Sequence, residues 1–483
     1  MKNISIRRNL GVLLICLSAL ASCENYLDQE SKDKITTDQV WNSYDAAESY
    51  LISAYSFVQP TGWQYHEYFY LPQNFRGDDM FPENGTNAWG YLAQIVGFNN
   101  TASSSVPTYM WTNWYEGVKL ANDVIENVPN MSMITQDDRD QLIAEARFLR
   151  AFYFLNLQMN FHSIIMPTKV ATSPDDLQIP ASNKEDVYTQ IISDFTFAAE
   201  HLPAKSMTDS WGRAGADAAY AFLGKSCLYA AKYQDALDAF SHITDRSLVD
   251  GSRYRSMFDG TAESNSEVIF TRGYTAEQQE ILELYHQLGV ALAPASLNGG
   301  WEMASISDYY MSQLESGDIR KSATVLQNGE TFDGQTITFD NPNFKMSIKY
   351  VESLDAISSN RSVVDIILMR YADVLLMEAE ANYELNNVTE ANKRLNEIRS
   401  RAGLSEIILS GTELRDEIRK QRMIELVGED SRFYDLVRWG IVTDQLTTAK
   451  QPFARNFESK YSFFPIPLVE TQRNKLVEPT PGF

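Results

Sequence analysis

The chain has 483 residues, of which 44% are hydrophobic and 22% are charged. This composition is typical of a globular protein with a large core, and it excludes wholesale disorder as well as collagen-like and coiled-coil architectures. The 41 basic residues are outnumbered by 64 acidic ones, which gives a formal net charge of −23. Because so acidic a surface repels phosphate backbones, we expect no binding to nucleic acid, whereas cations, neutral ligands and basic partners are compatible with it.

The N-terminal residues have the pattern of an export signal. A basic head precedes an apolar run at residues 10–20, which is too short to span a membrane and has the proportions of a signal-peptide core. The run ends in Leu20-Ala21-Ser22-Cys23, which resembles the lipobox of bacterial lipoproteins. We therefore predict a lipoprotein signal peptide at residues 1–22, acylation of Cys23 and a lipidated tether at residues 23–37. No later stretch reaches the roughly 20 apolar residues of a membrane helix, so the lipid anchor is the one membrane contact that we predict.

The cysteines fit an exported protein that has no disulfide. Cys16 lies in the signal peptide and Cys23 carries lipid, which leaves Cys227 as the remaining thiol. An intrachain disulfide is then impossible, and stability must come from a large packed core. Cys227 lies within a helical repeat pattern, so we expect it to be a buried packing residue and not a reactive thiol.

Helical and irregular regions alternate along the chain. Apolar residues recur at spacings of three and four over about residues 38–58, 109–246 and 363–446, which predicts amphipathic helices there. About residues 60–108 and 247–362 lose this period and are rich in Gly, Asn, Ser and Asp, with a few short strand-like alternations. Loops carried by a rigid scaffold are common places for binding sites, so we expect these two regions to form a ligand lobe.

A repeat search identifies the kind of helical scaffold. The segment 220–240 has the spacing of a tetratricopeptide unit, with Tyr220, Leu223, Gly224, Tyr233, Ala236 and Phe240 at the pattern positions. A weaker copy covers residues 371–395, and further helix pairs are expected at 138–201 and 413–446. The prediction is a mainly α body over residues 38–483, with about four tetratricopeptide-like helix pairs that carry an irregular loop-rich lobe with a few short strands.

Motifs for catalysis or metal binding are missing from the sequence. It contains no G-x-x-x-x-G-K-[ST] loop, no H-E-x-x-H and no G-x-S-x-G motif. Its histidines never occur at i, i+4 spacing: His66, His162, His201, His242 and His286. Adjacent acids such as Asp78-Asp79 and Glu429-Asp430 are expected by chance among so many carboxylates. We therefore predict no catalytic residue, no metal site, no cofactor and no enzyme, although the acidic loops would permit calcium without a supporting motif.

Aromatic residues in the loop regions are the strongest functional signal. Trp89 and Tyr91 follow the turn-rich segment Asn84-Gly85-Thr86-Asn87, and Trp301 follows Asn298-Gly299-Gly300. A flat ring in a loop, beside amides and carboxylates, can stack on the C–H face of a sugar while the polar groups bond its hydroxyls. The alternative is that each loop aromatic packs back into the core.

Several segments, taken in order, resemble the SusD/RagB family of Bacteroidota, and the resemblance covers the whole chain. The matching segments are Cys23-Glu24-Asn25-Tyr26-Leu27-Asp28, Glu145-Ala146-Arg147-Phe148-Leu149-Arg150-Ala151-Phe152-Tyr153, Arg370-Tyr371-Ala372-Asp373-Val374-Leu375-Leu376, Glu425 with Arg432, Asp435-Leu436 and Arg438-Trp439-Gly440, Pro465-Ile466-Pro467 with Glu470 and Asn474, and Pro481-Gly482-Phe483. Glu429-Asp430 departs from the family pattern, which usually has Glu-Gly there.

Most of these motif residues have a structural interpretation. We expect Glu145, Arg147 and Arg150 to form ion pairs on a helix surface. Arg432 and Asp435 have the i, i+3 spacing of a helical pair, and Gly440 is expected to end that helix after Trp439.

The resemblance implies an outer-membrane lipoprotein, exposed at the cell surface, that captures nutrient and works with a SusC-like TonB-dependent transporter. Ligand sites in the family lie in the loop-rich lobe, and carrying this over by region gives the predicted ligand-binding residues Trp89, Tyr91, Asp78, Asp79, Asn87, Trp301 and Asn298. The expected cargo is an oligosaccharide or polysaccharide.

Three alternatives are compatible with the same sequence. A RagB-like protein would bind peptides, with the acidic segment Gly77-Asp78-Asp79 selecting basic ones in a salt-dependent way. A glycoside hydrolase would release reducing ends from a polysaccharide. A scaffold that binds only proteins would bind no small ligand at all.

Overall fold

The computed structural model describes residues 40–58, 60, 63–82, 90–204, 212–274, 285–448 and 456–483. The predicted signal peptide, Cys23 and the tether lie outside these ranges. The described residues are mostly helical with a few short strands, which confirms the predicted fold class. None of their helices combines the length and the apolar character that a membrane crossing needs.

The helices are spread over the whole described chain. They are α1 (Tyr44–Tyr55), α2 (Trp63–Tyr65), which continues through a π-helical turn (His66–Tyr70) into α3 (Leu71–Asn74), α4 (Gly90–Val96), α5 (Ser105–Asn127), α6 (Gln136–Asn160), α7 (Lys184–His201), α8 (Ala216–Tyr229), α9 (Tyr233–Phe240), α10 (Leu288–Leu292), α11 (Asp308–Gln313), α12 (Arg320–Thr324), α13 (Leu354–Ser359), α14 (Tyr371–Glu384), α15 (Val388–Arg401), α16 (Gly411–Glu425), α17 (Arg432–Arg438), α18 (Val442–Thr448) and α19 (Leu468–Arg473).

Within the described residues, ten short strands form two-stranded antiparallel sheets. The pairs are β1 (Met80–Pro82) with β5 (Ala304–Ile306), β2 (Ile164–Ile165) with β3 (Ala181–Ser182), β4 (Val268–Arg272) with β10 (Ile366–Arg370), β6 (Val325–Gln327) with β9 (Lys345–Ser347), and β7 (Thr331–Phe332) with β8 (Gln335–Thr336). Most of the strand residues lie in the region predicted to be irregular, which has a small apolar cluster of its own around Phe339, Phe344 and Met346.

The helical scaffold is a row in which each long helix packs on the next. α5 packs on α6, α6 on α7, α7 on α8, α8 on α9, α9 on α14 and α14 on α15. Glycines set the closest approaches, because a Cβ at Gly224 would lie 2.2 Å from the Phe240 ring and one at Gly117 would lie 2.4 Å from the Tyr153 ring. Cys227 is buried between these helices, as expected, and burial raises the pKa of its thiol to about 12.

One predicted helix pair is arranged differently. Within residues 413–446, α16 does not form an isolated pair with α17 but packs against α14 and α15 as a third helix. α17 contacts α18 and α3 instead. Arg432 of α17 pairs with Asp78, and Asp435 of α17 pairs with Arg422 of α16. These buried ion pairs hold α17 in place.

Two groups predicted to be surface ion pairs are buried between helices. Arg150 of α6 binds Asp194 of α7 through two hydrogen bonds of 2.8 Å, and both residues are buried. Glu145 is also buried and accepts hydrogen bonds from Arg213 and Tyr55. The predicted surface position is therefore wrong for Arg150 and Glu145, because their partners come from neighbouring helices and not from the same helix face.

The predicted pair of Arg432 with Asp435 does not form. Arg432 turns to Asp78, and Asp435 is occupied by Arg422 and Arg438. Arg432 favours Asp78 because that pair is buried and bidentate, whereas Asp435 pairs with Arg422 of α16 and with Arg438, its other i, i+3 neighbour within α17. The predicted helix end is confirmed, since Gly440 has a φ of +70° directly after the C-cap residue Trp439.

A buried charge cluster connects the scaffold to the loop-rich lobe. It consists of Arg320, Lys349, Arg370 and Arg401 together with Glu267, Asp318, Glu425 and Glu429. None of these side chains is more than 6% exposed. The equal number of basic and acidic groups lets the cluster remain charged in the interior.

Glu425, the last residue of α16, is the centre of this cluster. Its carboxylate lies 2.6 Å from Arg370 Nη1 and 3.0 Å from Arg320 Nη1, and it also pairs with Arg401. Burial alone would raise the pKa of Glu425, but Arg401, Arg370 and Arg320 outweigh it and hold the pKa well below its usual range. The carboxylate therefore stays ionised and binds three arginines from different elements.

We predict that Glu425→Gln lowers the free energy of unfolding at pH 7 by about 3 to 5 kcal/mol, because it leaves buried arginines without their shared counter-ion. Urea unfolding followed by circular dichroism measures this change. Since the folded-state pKa of Glu425 is depressed, its stabilisation is present above the unfolded pKa and is lost as the pH falls below about 4. The difference between the two proteins should shrink in that range.

Glu390→Gln is the matched control. Glu390 pairs with Lys393 on the exposed face of α15, where an ion pair contributes less than about 0.5 kcal/mol. Equal losses for the two variants would contradict the structural role of the cluster.

Candidate functional site

The two loop regions meet at the β1–β5 strand pair. Met80 lies opposite Ile306 and Pro82 lies opposite Ala304. Residues 83–89, which carry two of the predicted ligand residues, follow β1 in the chain and lie outside the described residues. Trp301 lies in the chain just before β5, the strand that pairs with β1. The strand pair therefore brings residues from both loop regions together.

Backbone geometry fixes the position of Trp301. Asn298 and Gly299 have φ values of +53° and +77°, and a Cβ at Gly300 would lie 2.3 Å from the Ala293 carbonyl oxygen. Glycine is thus required for the chain to fold back over the end of α10, where the Trp301 amide donates to the Val290 carbonyl at 2.8 Å. The partly buried indole packs against the buried imidazole of His66, with ring centroids 5.3 Å apart.

Tyr68, Tyr91 and Tyr109 form a tyrosine stack, and Tyr68 belongs to the same π-helical turn as His66, which packs against Trp301. The ring of Tyr68 lies 4.3 Å from that of Tyr109 at an interplanar angle of 18°, and 6.0 Å from that of Tyr91 at 26°. The three residues come from the π-helical turn after α2, from α4 and from α5, and each is partly buried. Tyr68 is in the middle, so the outer ring faces belong to Tyr91 and Tyr109.

This arrangement can hold a ligand that is both apolar and polar. The ring faces carry the negative part of the aromatic quadrupole and suit C–H groups, while the phenol oxygens can donate and accept hydrogen bonds. Burial and the neighbouring Tyr68 raise the pKa of Tyr109 to about 12, so this phenol stays protonated at neutral pH. The stack therefore offers a neutral aromatic surface and not a charged one.

Histidine and carboxylate chemistry is not assembled here. Burial lowers the pKa of His66 and of His286 to about 3, so both imidazoles are neutral at physiological pH. Within the described ranges, no three His, Cys, Asp or Glu side chains are grouped so that they could hold a metal ion.

The predicted ligand-binding residues do not all lie in one place in the structure. Trp89 and Asn87 lie outside the described residues, directly before α4. Tyr91 belongs to the tyrosine stack. Asn298 is exposed, and its side-chain amide donates to the Leu354 carbonyl at 3.3 Å.

The prediction that Asp78 and Asp79 face a ligand does not agree with the structure, because both are buried. Asp78 lies 2.5 and 2.8 Å from two guanidinium nitrogens of Arg432 and accepts a further hydrogen bond from Gln445. Burial, together with the neighbouring Asp78, raises the pKa of Asp79 to about 7. Asp78 therefore anchors the loop to α17 and α18, and neither carboxylate is exposed to a ligand.

The sequence pattern does not single out Tyr68 and Tyr109 as site residues. Both lie in a stretch with many aromatics, but Tyr109 falls on an amphipathic helix, where a core position is the simpler expectation. The signal that could identify them is the aromatic density itself, since it continues from residue 63 to residue 115 across both helical and irregular segments.

Two family models match the chain. Residues 267–483 match the model described as "SusD family", and residues 25–228 match the model described as "Starch-binding associating with outer membrane". Only residues 1–24 and 229–266 lie outside the two matches.

Curated relatives and solved structures agree with these matches. SusD-like protein P25 of Formosa agariphila is 24% identical, with 97% of each chain covered. A SusD superfamily protein from Bacteroides vulgatus has a TM-score of 0.82 and 24% identity, covering 92% of this chain and 100% of that one. Surface glycan-binding protein A from Bacteroides thetaiotaomicron, solved in complex with laminarihexaose, has a TM-score of 0.77 and 21% identity, covering 90% and 99%.

We predict that Asp79→Asn stabilises the protein at neutral and alkaline pH. Because the folded-state pKa of Asp79 is about 7, above its unfolded value of about 3.9, ionisation of the unfolded chain costs stability as the pH rises between these two values. Asn cannot ionise, so the gain over the wild type should grow from pH 4 to pH 7 and then level off at roughly 3 to 5 kcal/mol. Urea unfolding at several pH values measures it.

Asp340→Asn, at an exposed loop position, is the control and should change stability by less than about 0.5 kcal/mol at every pH. A constant or negative effect of Asp79→Asn across this range would show that the Asp79 carboxylate is stabilising.

Proposed function

Because the chain belongs to the SusD family, we propose that it captures an oligosaccharide at the cell surface and delivers it to a SusC-like TonB-dependent transporter. Members of this family are carbohydrate-binding proteins rather than enzymes. The observation that carries the proposal is the stack of three partly buried tyrosine rings.

Capture would depend on the shape and polarity of the aromatic surface. A pyranose ring presents C–H groups on its faces, which match the ring faces of the tyrosine stack. Trp301, which packs against His66 just before β5, would add a further aromatic contact. Each contact is offset in part by desolvation of polar groups, so the affinity for one short oligosaccharide should be modest, and modest affinity allows release to a transporter.

The structure weakens the competing functions. Selection of basic peptides was expected from the acidic segment 77–79, but both of its carboxylates are buried. A glycoside hydrolase needs two carboxyl groups that flank an accessible bond, and these two cannot supply them. A protein-only scaffold differs from our proposal in a measurable way, because it predicts no saccharide binding.

We further propose that Cys23 anchors the protein in the outer membrane and that capture needs no cofactor. The lipobox-like sequence before Cys23 supports the first part. The second part predicts that EDTA leaves the affinity for the glycan unchanged.

The binding prediction starts from a glycan and peptide array, read beside a reducing-end assay. We expect binding to saccharides without release of reducing ends. For the glycan so identified, Tyr91→Ala and Trp301→Ala should each weaken binding roughly 3- to 10-fold in calorimetry, because one aromatic contact contributes about 0.5 to 1.5 kcal/mol. Tyr91→Phe should stay within about 2-fold of wild type because the ring face is kept.

Tyr220→Ala is the matched control, since Tyr220 is also a partly buried, stacked tyrosine but lies on α8 against His242. It should leave glycan affinity unchanged. Binding of peptides alone, or wild-type affinity in both the Tyr91 and the Trp301 variants, would rule out this site.

Cys23→Ala should abolish acylation and release the protein from the membrane fraction. Mass spectrometry of the N-terminal peptide and fractionation of cells that express the full chain measure both effects. Ser22→Ala is the control and should keep the lipid, because a small residue still precedes the cysteine. A protein that remains lipidated without Cys23 would contradict the proposed anchor.

A further inference from the structure

A second groove lies on the helical side of the molecule. It has a volume of about 690 Å³ and is formed by the end of α6, the start of α7, the end of α8, α17 and the C-terminal segment. Among the described residues that line it there is no member of the tyrosine stack and no residue of the strand pair β1–β5. It is therefore separate from the site proposed above, and its volume is sufficient for a small oligosaccharide.

The floor of the groove is aromatic and buried, whereas its rim is exposed. Tyr188, Tyr229 and Tyr434 form much of the floor, and each is at most 8% exposed. At the rim, the imidazole of His162 packs against the ring of Phe463, with centroids 5.3 Å apart. The groove thus has aromatic surfaces at two depths, which is typical of sites that hold the apolar faces of a ligand.

The charged residues that line the groove are all basic. Lys184, Arg438, Lys460 and His162 line it, and no Asp or Glu does so among the described residues, although the chain carries 64 acids. This is the opposite of the overall charge of the molecule, and it favours an anionic group in the groove over a cationic one.

The basic groups differ in how far they are neutralised. Arg438 is already paired with Glu380 and Asp435, so it adds little free charge. Lys460 Nζ lies 3.5 Å from Glu458 Oε2, an exposed contact that contributes little in water. Lys184 is exposed and makes no ion pair within the part of the chain that the structure describes, so it is the main candidate to bind an anion.

Two buried lining residues have unsatisfied hydrogen-bonding atoms. Within the part of the chain that the structure describes, Gln158 Oε1 and Tyr229 Oη have no hydrogen-bond partner, and the two residues are 3% and 8% exposed. Burial raises the pKa of Tyr229 well above its usual value, so its hydroxyl can donate as well as accept. A buried acceptor without a partner is costly, and a ligand hydroxyl could satisfy both atoms whereas an apolar ligand could not.

We propose that this groove is a second saccharide-binding site, which takes an oligosaccharide unit that carries a negative charge. The aromatic floor would hold the sugar face, Gln158 and Tyr229 would bind its hydroxyls, and Lys184 and Lys460 would bind its carboxylate or sulfate. The choice of a saccharide rests on the proposed function, whereas the location and the preference for negative charge rest on the groove alone.

The test compares a tetramer of galacturonic acid with the neutral laminaritetraose, using the purified full-length chain and calorimetry. We expect the acidic tetramer to bind wild type and to bind Lys184→Glu at least 5-fold more weakly. Lys393→Glu makes the same charge change on the exposed face of α15 and should keep wild-type affinity. Tyr229→Phe should also lose affinity at least 2-fold while its melting temperature stays the same or rises, because the hydroxyl has no partner in the free protein.

The outcomes separate this proposal from the proposed function. Equal affinity of the acidic tetramer for Lys184→Glu and Lys393→Glu would overturn the second site. The second site would also be overturned if Tyr91→Ala lost binding of the acidic tetramer and Lys184→Glu kept it. No binding of the acidic tetramer, with neutral glycan binding intact, would overturn the groove and leave the tyrosine stack in place. Weakened binding of the acidic tetramer in Lys184→Glu but not in Tyr91→Ala would support the groove even if the tyrosine stack bound no glycan. Binding of poly-glutamate in its place would assign the groove to an acidic peptide and contradict the proposal.

Discussion

The buried charge cluster around Glu425 is the constraint on which the rest of the structure depends. Taking so many charges out of water costs several kcal/mol per ion, and only the full set of partners offsets this cost. The partners come from the scaffold helices α15 and α16 and from the loop-rich lobe, through Glu267, Arg320 and Lys349. A shift of the lobe relative to the helices would leave buried charges unpaired, so the cluster fixes one orientation between them.

This orientation has consequences for the candidate ligand surface. A second buried ion pair, from Asp78 to Arg432, fixes the chain just before β1 to α17. β1 in turn pairs with β5, and Trp301 lies next to β5. The chain at residues 78–82 is therefore held both by a buried ion pair and by strand pairing. Such preorganisation reduces the entropy that a ligand must overcome on binding.

The sequence predicts the local features of this structure well and the long-range polar ones poorly. The helices around Gly224 and Cys227 and the helix end at Gly440 follow from periodicity and glycine chemistry, which act within a few residues. The partner of Asp78, in contrast, is 354 residues away in Arg432, and no local pattern indicates it. The same limit applies to the tyrosine stack, since its rings come from three separate helical elements. The sequence therefore predicts that Asp78 binds a ligand, whereas the structure uses it to hold the segment to α17.

The central proposal is that a glycan binds at the tyrosine stack. Its most direct test is a structure of the protein with the glycan that the array selects. We expect sugar density against the outer ring faces of Tyr91 and Tyr109. Density found only elsewhere on the molecule, with both ring faces free, would contradict it.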